Sequence, residues 1–177
     1  MHTLICHPST PSSLQIKISS NATYLANGKL QLNYVLQGDL GEIQLPQQCK
    51  PEQKDSLWQH TCFEAFVGFS GETHYHEYNI SPSGCWAIYA FKDYRQQKQY
   101  KPPHEPTIQI TQGKHQLEIK VSLAVSTLPT SLTNQAFQIG LSAVIESKNQ
   151  HKTYWALNHP LDRPNFHHQR SFVLKVI

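Results

Sequence analysis

The feature that most limits what this chain can fold into is a two-residue alternation that recurs between turn signals. Leu30, Leu32, Tyr34 and Leu36 fall on every second position, which places them on one face of an extended strand. Residues 14–18 (LQIKI) alternate in the same way and lead into a polar run at 19–23. The sequence TYLANGKLQLNYVLQG then reads as two strands around Asn27-Gly28, a pair that supplies the positive φ angles of a tight hairpin. Further strands are expected at 58–69 and 73–80, joined at Ser70-Gly71, and at 85–91 after the turn Ser81-Pro82-Ser83-Gly84. Others follow at 107–111 and 115–122, joined by Gly113, and at 137–145, 153–157 and 171–176. Residues 122–131 hold room for one short helical turn before Pro129, and no helical pattern of ten residues stands out elsewhere. About ten short strands in a chain of this length predict an all-β fold, a two-sheet antiparallel β-sandwich of jelly-roll-like form with at most one short helix.

The chain has 177 residues, enough for one domain with a full core and short for two, so 1–177 is read as a single domain. Fifteen Lys and Arg stand against 12 Asp and Glu, a net charge of +3, and no run of five like charges occurs. Neither nucleic acid nor an anionic membrane is therefore an expected partner. No apolar run approaches the roughly 20 residues of a membrane-spanning helix. The opening MHTLICHPSTPSS lacks a basic start followed by a long apolar core, so no secretion signal is read and a cytoplasmic location is expected. The four cysteines, Cys6, Cys49, Cys62 and Cys85, form no CxxC pair, which argues against structural zinc. Free thiols are expected in a reducing compartment. A Cys62–Cys85 disulfide would need neighbouring strands and an exported chain.

Function is most legible between residues 57 and 95. Bulky aromatics there are interleaved with Glu64, Glu77 and Asn79 at strand spacing, a mixture that suits a binding face as well as a core. Alternation puts Phe63, Ala65 and Val67 opposite Cys62, Glu64 and Phe66, and puts Tyr75, Glu77 and Asn79 opposite His76, Tyr78 and Ile80. Trp86 and Ile88 share a face, with Ala87, Tyr89 and Phe91 on the other. If the strands pair, either Glu64 and Glu77 line one surface or both are solvated residues on an exposed sheet face. Aromatic planes beside carboxylates and amides are what a sugar-binding groove requires, since rings stack on the C–H face of a pyranose while polar groups meet its hydroxyls. Two loops, 38–56 and 92–106, are long enough to rim or cover such a cleft.

Other chemistries are less well supported. His74 and His76 would project from one strand face, but no third ligand has defined spacing and HEXXH is absent, so no metal is expected. There is no GxSxG elbow. Glu64 and Glu77 have the residue type for glycoside hydrolysis, and neighbouring strands would bring two carboxylates within its range. Composition does not favour an enzyme.

Three blocks carry a resemblance to a known family. Residues 58–64 (WQHTCFE), 78–89 (YNISPSGCWAIY) and 154–160 (YWALNHP), with 164–167 (PNFH), look like the DOMON-like proteins, bacterial relatives of DOMON domains and of family 9 carbohydrate-binding modules. Together they span the chain from residue 57 onward. The resemblance implies a β-sandwich with a ligand cleft on the concave face of one sheet, holding a saccharide or haem, and a binding rather than catalytic role. Carried onto this chain, the ligand-binding candidates are Trp58, His60, Glu64, Glu77, Asn79, Trp86, Arg95, Trp155, His159 and His167. The haem-binding branch uses axial methionine and histidine, and the only methionine here is Met1. Bis-histidine ligation stays open. The expected partner is a small saccharide-like molecule, with no obligatory cofactor.

Overall fold

The computed structural model describes residues 1–133 and 135–176. The described strands, in chain order, are β1 (His2–Thr3), β2 (Ile5–Cys6), β3 (Ile16–Tyr24), β4 (Leu30–Gly38), β5 (Cys62–Phe69), β6 (Tyr75–Ile80) and β7 (Trp86–Asp93). There follow β8 (Gln96–Lys98), β9 (Thr107–Gln112), β10 (Gln116–Leu123), β11 (Phe137–Glu146), β12 (Lys152–Ala156) and β13 (Leu174–Val176). They form two antiparallel sheets. One has the order β1-β3-β4-β10-β9, and the other the order β2-β12-β11-β5-β6-β7-β8, with β13 added on β11. The N-terminus joins both, since β1 pairs with β3 and β2 with β12. Among the described residues, helical structure is confined to 3-10 turns at Leu40–Glu42, Leu57–Gln59, Val125–Thr127 and Gln169–Ser171, more short turns than the one the sequence suggested.

Each strand's alternation decides which face goes inward. Leu30, Leu32, Tyr34 and Leu36 of β4 meet Phe63, Ala65 and Val67 of β5 in one buried cluster between the sheets. Tyr34 also donates its hydroxyl proton to the Glu64 carbonyl at 2.7 Å, so the buried phenol has an acceptor. The polar run at 19–23 is not a break between strands. β3 continues through it in unbroken register with β4, from Ile16 opposite Gly38 to Tyr24 opposite Leu30. Ser20 and Ala22 turn inward there, and their small side chains fit under the facing sheet without large apolar groups.

The outer face of the eight-stranded sheet carries a second apolar cluster of Phe66, Tyr75, Phe91, Val144, Ala156, Phe166 and Phe172. The chain after β12 covers part of this face. Phe172 lies where a Cβ on Gly140 would come within 2.9 Å of its ring, and one on Gly68 within 3.6 Å. Two glycines on adjacent strands thus form the seat for one aromatic ring. That covering stops short of the middle of the sheet, where a cleft is left.

Candidate binding cleft on the outer sheet face

The cleft has a volume of about 610 Å³, within the range usual for small-molecule sites. Its floor comes from five neighbouring strands, β12, β11, β5, β6 and β7. Register sets Phe66 opposite Glu77 and Glu77 opposite Tyr89, while Glu64 stands opposite Asn79 and Val144 opposite Tyr154. One wall is Asp55, Ser56 and Trp58 from the loop before β5; the other is residues 164–167 with Arg95 and Gln97.

Hydrogen bonds hold these walls. Tyr89 donates to Asp55 Oδ1 at 2.9 Å, and burial with the Asp55 carboxylate raises its phenol well above the ordinary value. On the far side, Asn165 donates to the Tyr94 hydroxyl at 2.7 Å. The Arg95 backbone N–H donates to the Tyr75 hydroxyl at 3.1 Å. The Tyr75 hydroxyl also shares a hydrogen bond with His167 Nδ1 at 2.8 Å, and His167 Nε2 faces Glu77 Oε2 at 3.6 Å. Burial first, and then the Arg95 charge, lower His167 to about 4, so the ring is neutral at neutral pH. Arg95 adopts a left-handed φ of 54°, a strained conformation for a residue with a Cβ.

Two carboxyls lie at the base. Glu77 is 6% exposed and Glu64 3% exposed. Loss of water raises Glu77 to about 7, opposed by the 2.8 Å hydrogen bond from Asn79 Nδ2 and by Arg95. Burial raises Glu64 well above the carboxylate range, and the Glu77 charge adds to it. Two buried acids side by side retain protons that either would release in water. In the cleft, Glu64 Oε1 and Asn165 Oδ1, and beneath it Asn79 Oδ1, have no hydrogen-bond partner among the described residues. Buried polar atoms without partners are uncommon and favour a site that meets a ligand or water. A neutral Glu64 also gains an O–H donor. The cleft thus presents donors and acceptors beneath aromatic walls, with Trp58 half exposed at 50% on its rim.

Of the ten candidates from the sequence, Trp58, Glu64, Glu77, Arg95 and His167 line the cleft. Asn79 lies beneath it and orients Glu77. Four expectations are corrected. Trp86 belongs to the core between the sheets, because it alternates with Tyr89 and the register gives Tyr89 the outward place beside Glu77. Trp155 is also a core residue, its indole N–H donating to Thr153 Oγ1 at 2.8 Å, and Tyr154 takes the outward face. His60 is turned to Glu146 at 2.7 Å. His159 packs edge-on against His7 and donates to the Ile5 carbonyl at 2.8 Å. His74 and His76 do not converge as a pair of ligands, since their rings bond to the Thr130 and Thr127 carbonyls. The two long loops border the cleft without roofing it, contributing Asp55 and Ser56 from one and Arg95 and Gln97 from the other.

The sequence reasoning missed Tyr89, Tyr154, Phe91, Asp55 and the 164–166 wall. In β7 both faces are apolar or aromatic, so alternation alone does not say which is outward. The signal available was the pairing partner, because Tyr89 must share a face with Glu77 once β6 and β7 are in register.

This architecture defines a class. The chain has the fold of the family 9 carbohydrate-binding modules. A Bacteroides uniformis protein put forward as carbohydrate-binding superposes with a TM-score of 0.71 at 15% identity, over 99% of this chain and 85% of that one. A family 9 carbohydrate-binding module of Caldicellulosiruptor kristjanssonii, solved in complex with glucose, gives 0.63 at 6% identity, covering 98% and 83%. Its complex with cellotriose gives 0.60 at 6%, covering 99% and 81%. No family model and no curated protein matches the sequence.

Proposed function

We propose that this chain is a non-catalytic saccharide-binding module whose ligand lies in the cleft on the outer face of the eight-stranded sheet. The observation that carries the reading is the pairing, in one 610 Å³ cleft, of aromatic walls with buried polar atoms that lack partners, within a fold whose solved examples hold glucose and cellotriose. Trp58, Tyr89 and Tyr154 supply planes for the C–H faces of a sugar ring. Glu64, Glu77 and Arg95 supply acceptors and donors for its hydroxyls. A binding role is favoured over glycoside hydrolysis by the fold, whose solved examples in complex with glucose and cellotriose are carbohydrate-binding modules.

The test is thermal melting of the full chain against simple sugars, amino sugars, oligosaccharides, nucleotide sugars and haemin. A ligand present at 100 times its dissociation constant adds about 2.7 kcal/mol, a rise of roughly 5–10 °C for a chain of this size. A rise with one saccharide class supports the reading. A rise with haemin alone overturns it in favour of a haem module.

A further inference from the structure

Two of the four cysteines meet at the edge of the sheet, outside the cleft. Cys49 and Cys85 are 36 positions apart in sequence, yet their Sγ atoms stand 2.9 Å apart. Their backbones are held together by the same region of hydrogen bonding. The Cys49 N–H donates to the Ser83 carbonyl at 3.0 Å, the Trp86 N–H to the Glu52 carbonyl at 3.1 Å, and the Lys54 N–H to the Trp86 carbonyl at 2.9 Å. Gln53 forms a parallel bridge to Trp86. Residues 49–54 therefore run as a strap along the start of β7, and the chain continues directly into Asp55, Ser56 and Trp58, one wall of the cleft.

The other two cysteines are engaged elsewhere. Cys62 is buried with its thiol turned to the Phe63 carbonyl, and Cys6 turns to the Thr10 carbonyl. The Cys62–Cys85 pairing considered from the sequence is absent, and Cys49 is the sulfur beside Cys85. Accessibility also divides the pair, because Cys49 is exposed and Cys85 buried. A disulfide in solution can reach the first and not the second.

We propose that Cys49 and Cys85 form a reversible disulfide that clasps the strap to β7 and fixes the Trp58 wall of the cleft. The oxidant by class is a low-molecular-weight disulfide such as oxidised glutathione. The Cys49 thiol loses its proton, and its sulfur attacks one glutathione sulfur and displaces the other as thiolate, giving a mixed disulfide. Cys85 then loses its proton and attacks Cys49 Sγ, and the second glutathione leaves as thiolate. Two protein thiols have given up two electrons, and one glutathione disulfide has become two glutathione molecules. A bonded pair needs an S–S distance of about 2.05 Å, so the sulfurs close by less than 1 Å and the strap keeps its hydrogen bonds. The link closes a long loop and restricts the unfolded chain.

The experiment equilibrates the full chain in glutathione buffers of graded redox poise and reads mass, non-reducing peptide maps, melting and hydrogen exchange. It uses no saccharide, so its result is separate from that of the proposed function. The expected outcome is loss of two hydrogens in mass, one linked peptide pair containing Cys49 and Cys85, and a melting rise of about 5–15 °C. Amide exchange should slow across residues 50–56, and Cys49→Ser should abolish every one of these changes. Retention of both thiols, a stable mixed disulfide on Cys49, or a pair involving Cys6 would overturn the assignment. A Cys49–Cys85 link that leaves melting and exchange unchanged would overturn the clasp.

Discussion

Removing the charge of Glu77 should change the pH dependence of stability in a direction fixed by its burial. The carboxyl moves from an ordinary 4.5 to about 7 because the folded chain withdraws it from water. Between those values the folded chain holds a proton that the unfolded chain has released, so stability falls as pH rises through that window. A difference of about 2.5 in pKa corresponds to about 3 kcal/mol, absent below pH 4.5 and fully expressed above pH 7. Wild type alone does not show this cleanly. His76 and His167 are each lowered from 6.5 to about 4, so their folded forms refuse a proton that the unfolded chain accepts, and they remove stability as pH falls through the same range. Glu77→Gln separates the two effects, since the amide oxygen still accepts from Asn79 and both histidines remain. The substitution also relieves Glu64, which the Glu77 charge raises further, an effect of the same sign. Urea unfolding of both proteins at pH 5 and pH 8 is the assay. The variant should gain about 3 kcal/mol on wild type between the two. A stability difference that stays constant from pH 5 to 8 would show that Glu77 titrates as an ordinary surface acid, and the reasoning from burial would fail.

The corrected orientation of β7 makes Trp86→Ala a core deletion, which should cost about 3–5 kcal/mol in urea unfolding; a stable variant with selectively lost ligand binding would return Trp86 to the cleft. Gly140→Ala brings a Cβ within 2.9 Å of the Phe172 ring, and melting should report a loss of about 1–3 kcal/mol from the crowding. Tyr89→Phe removes the donor to Asp55 and should cost about 1 kcal/mol, with faster hydrogen exchange at residues 54–57; unchanged exchange there would separate the strap from Tyr89.

The sandwich was legible because period-two alternation and turn residues are local. The Asn27-Gly28 hairpin forms where expected, with Gly28 at a φ of 77° and the Leu25 and Lys29 backbones bonded across it. Strands lacking large apolar residues were harder to see. Residues 19–23 join β3 through a register with β4 that only the partner supplies, and the two-residue strands β1 and β2 are too short to show a period. The cleft was half legible for a related reason. Glu64 and Glu77 stand out as polar residues in apolar strands. Trp86 and Tyr89, by contrast, lie in a strand apolar on both faces, and Trp155 and Tyr154 are adjacent aromatics of which only one can face outward. Chemistry drew attention to the indoles, while cross-strand register gave the outward positions to the phenols. The wall at 164–167 depends on the covering segment docking through Phe172 on Gly68 and Gly140, a contact made between residues far apart in the chain.

The measurement that bears most directly on the account is isothermal titration of the full chain with glucose and cellotriose, alongside Trp58→Ala. Trp58 is half exposed on the rim, so its removal should leave the melting temperature nearly unchanged. The account predicts saturable one-to-one binding of a saccharide, weakened at least tenfold in the variant through the loss of a stacking plane. Saccharide binding of equal strength in wild type and Trp58→Ala, or none to either sugar while haemin binds, would contradict it.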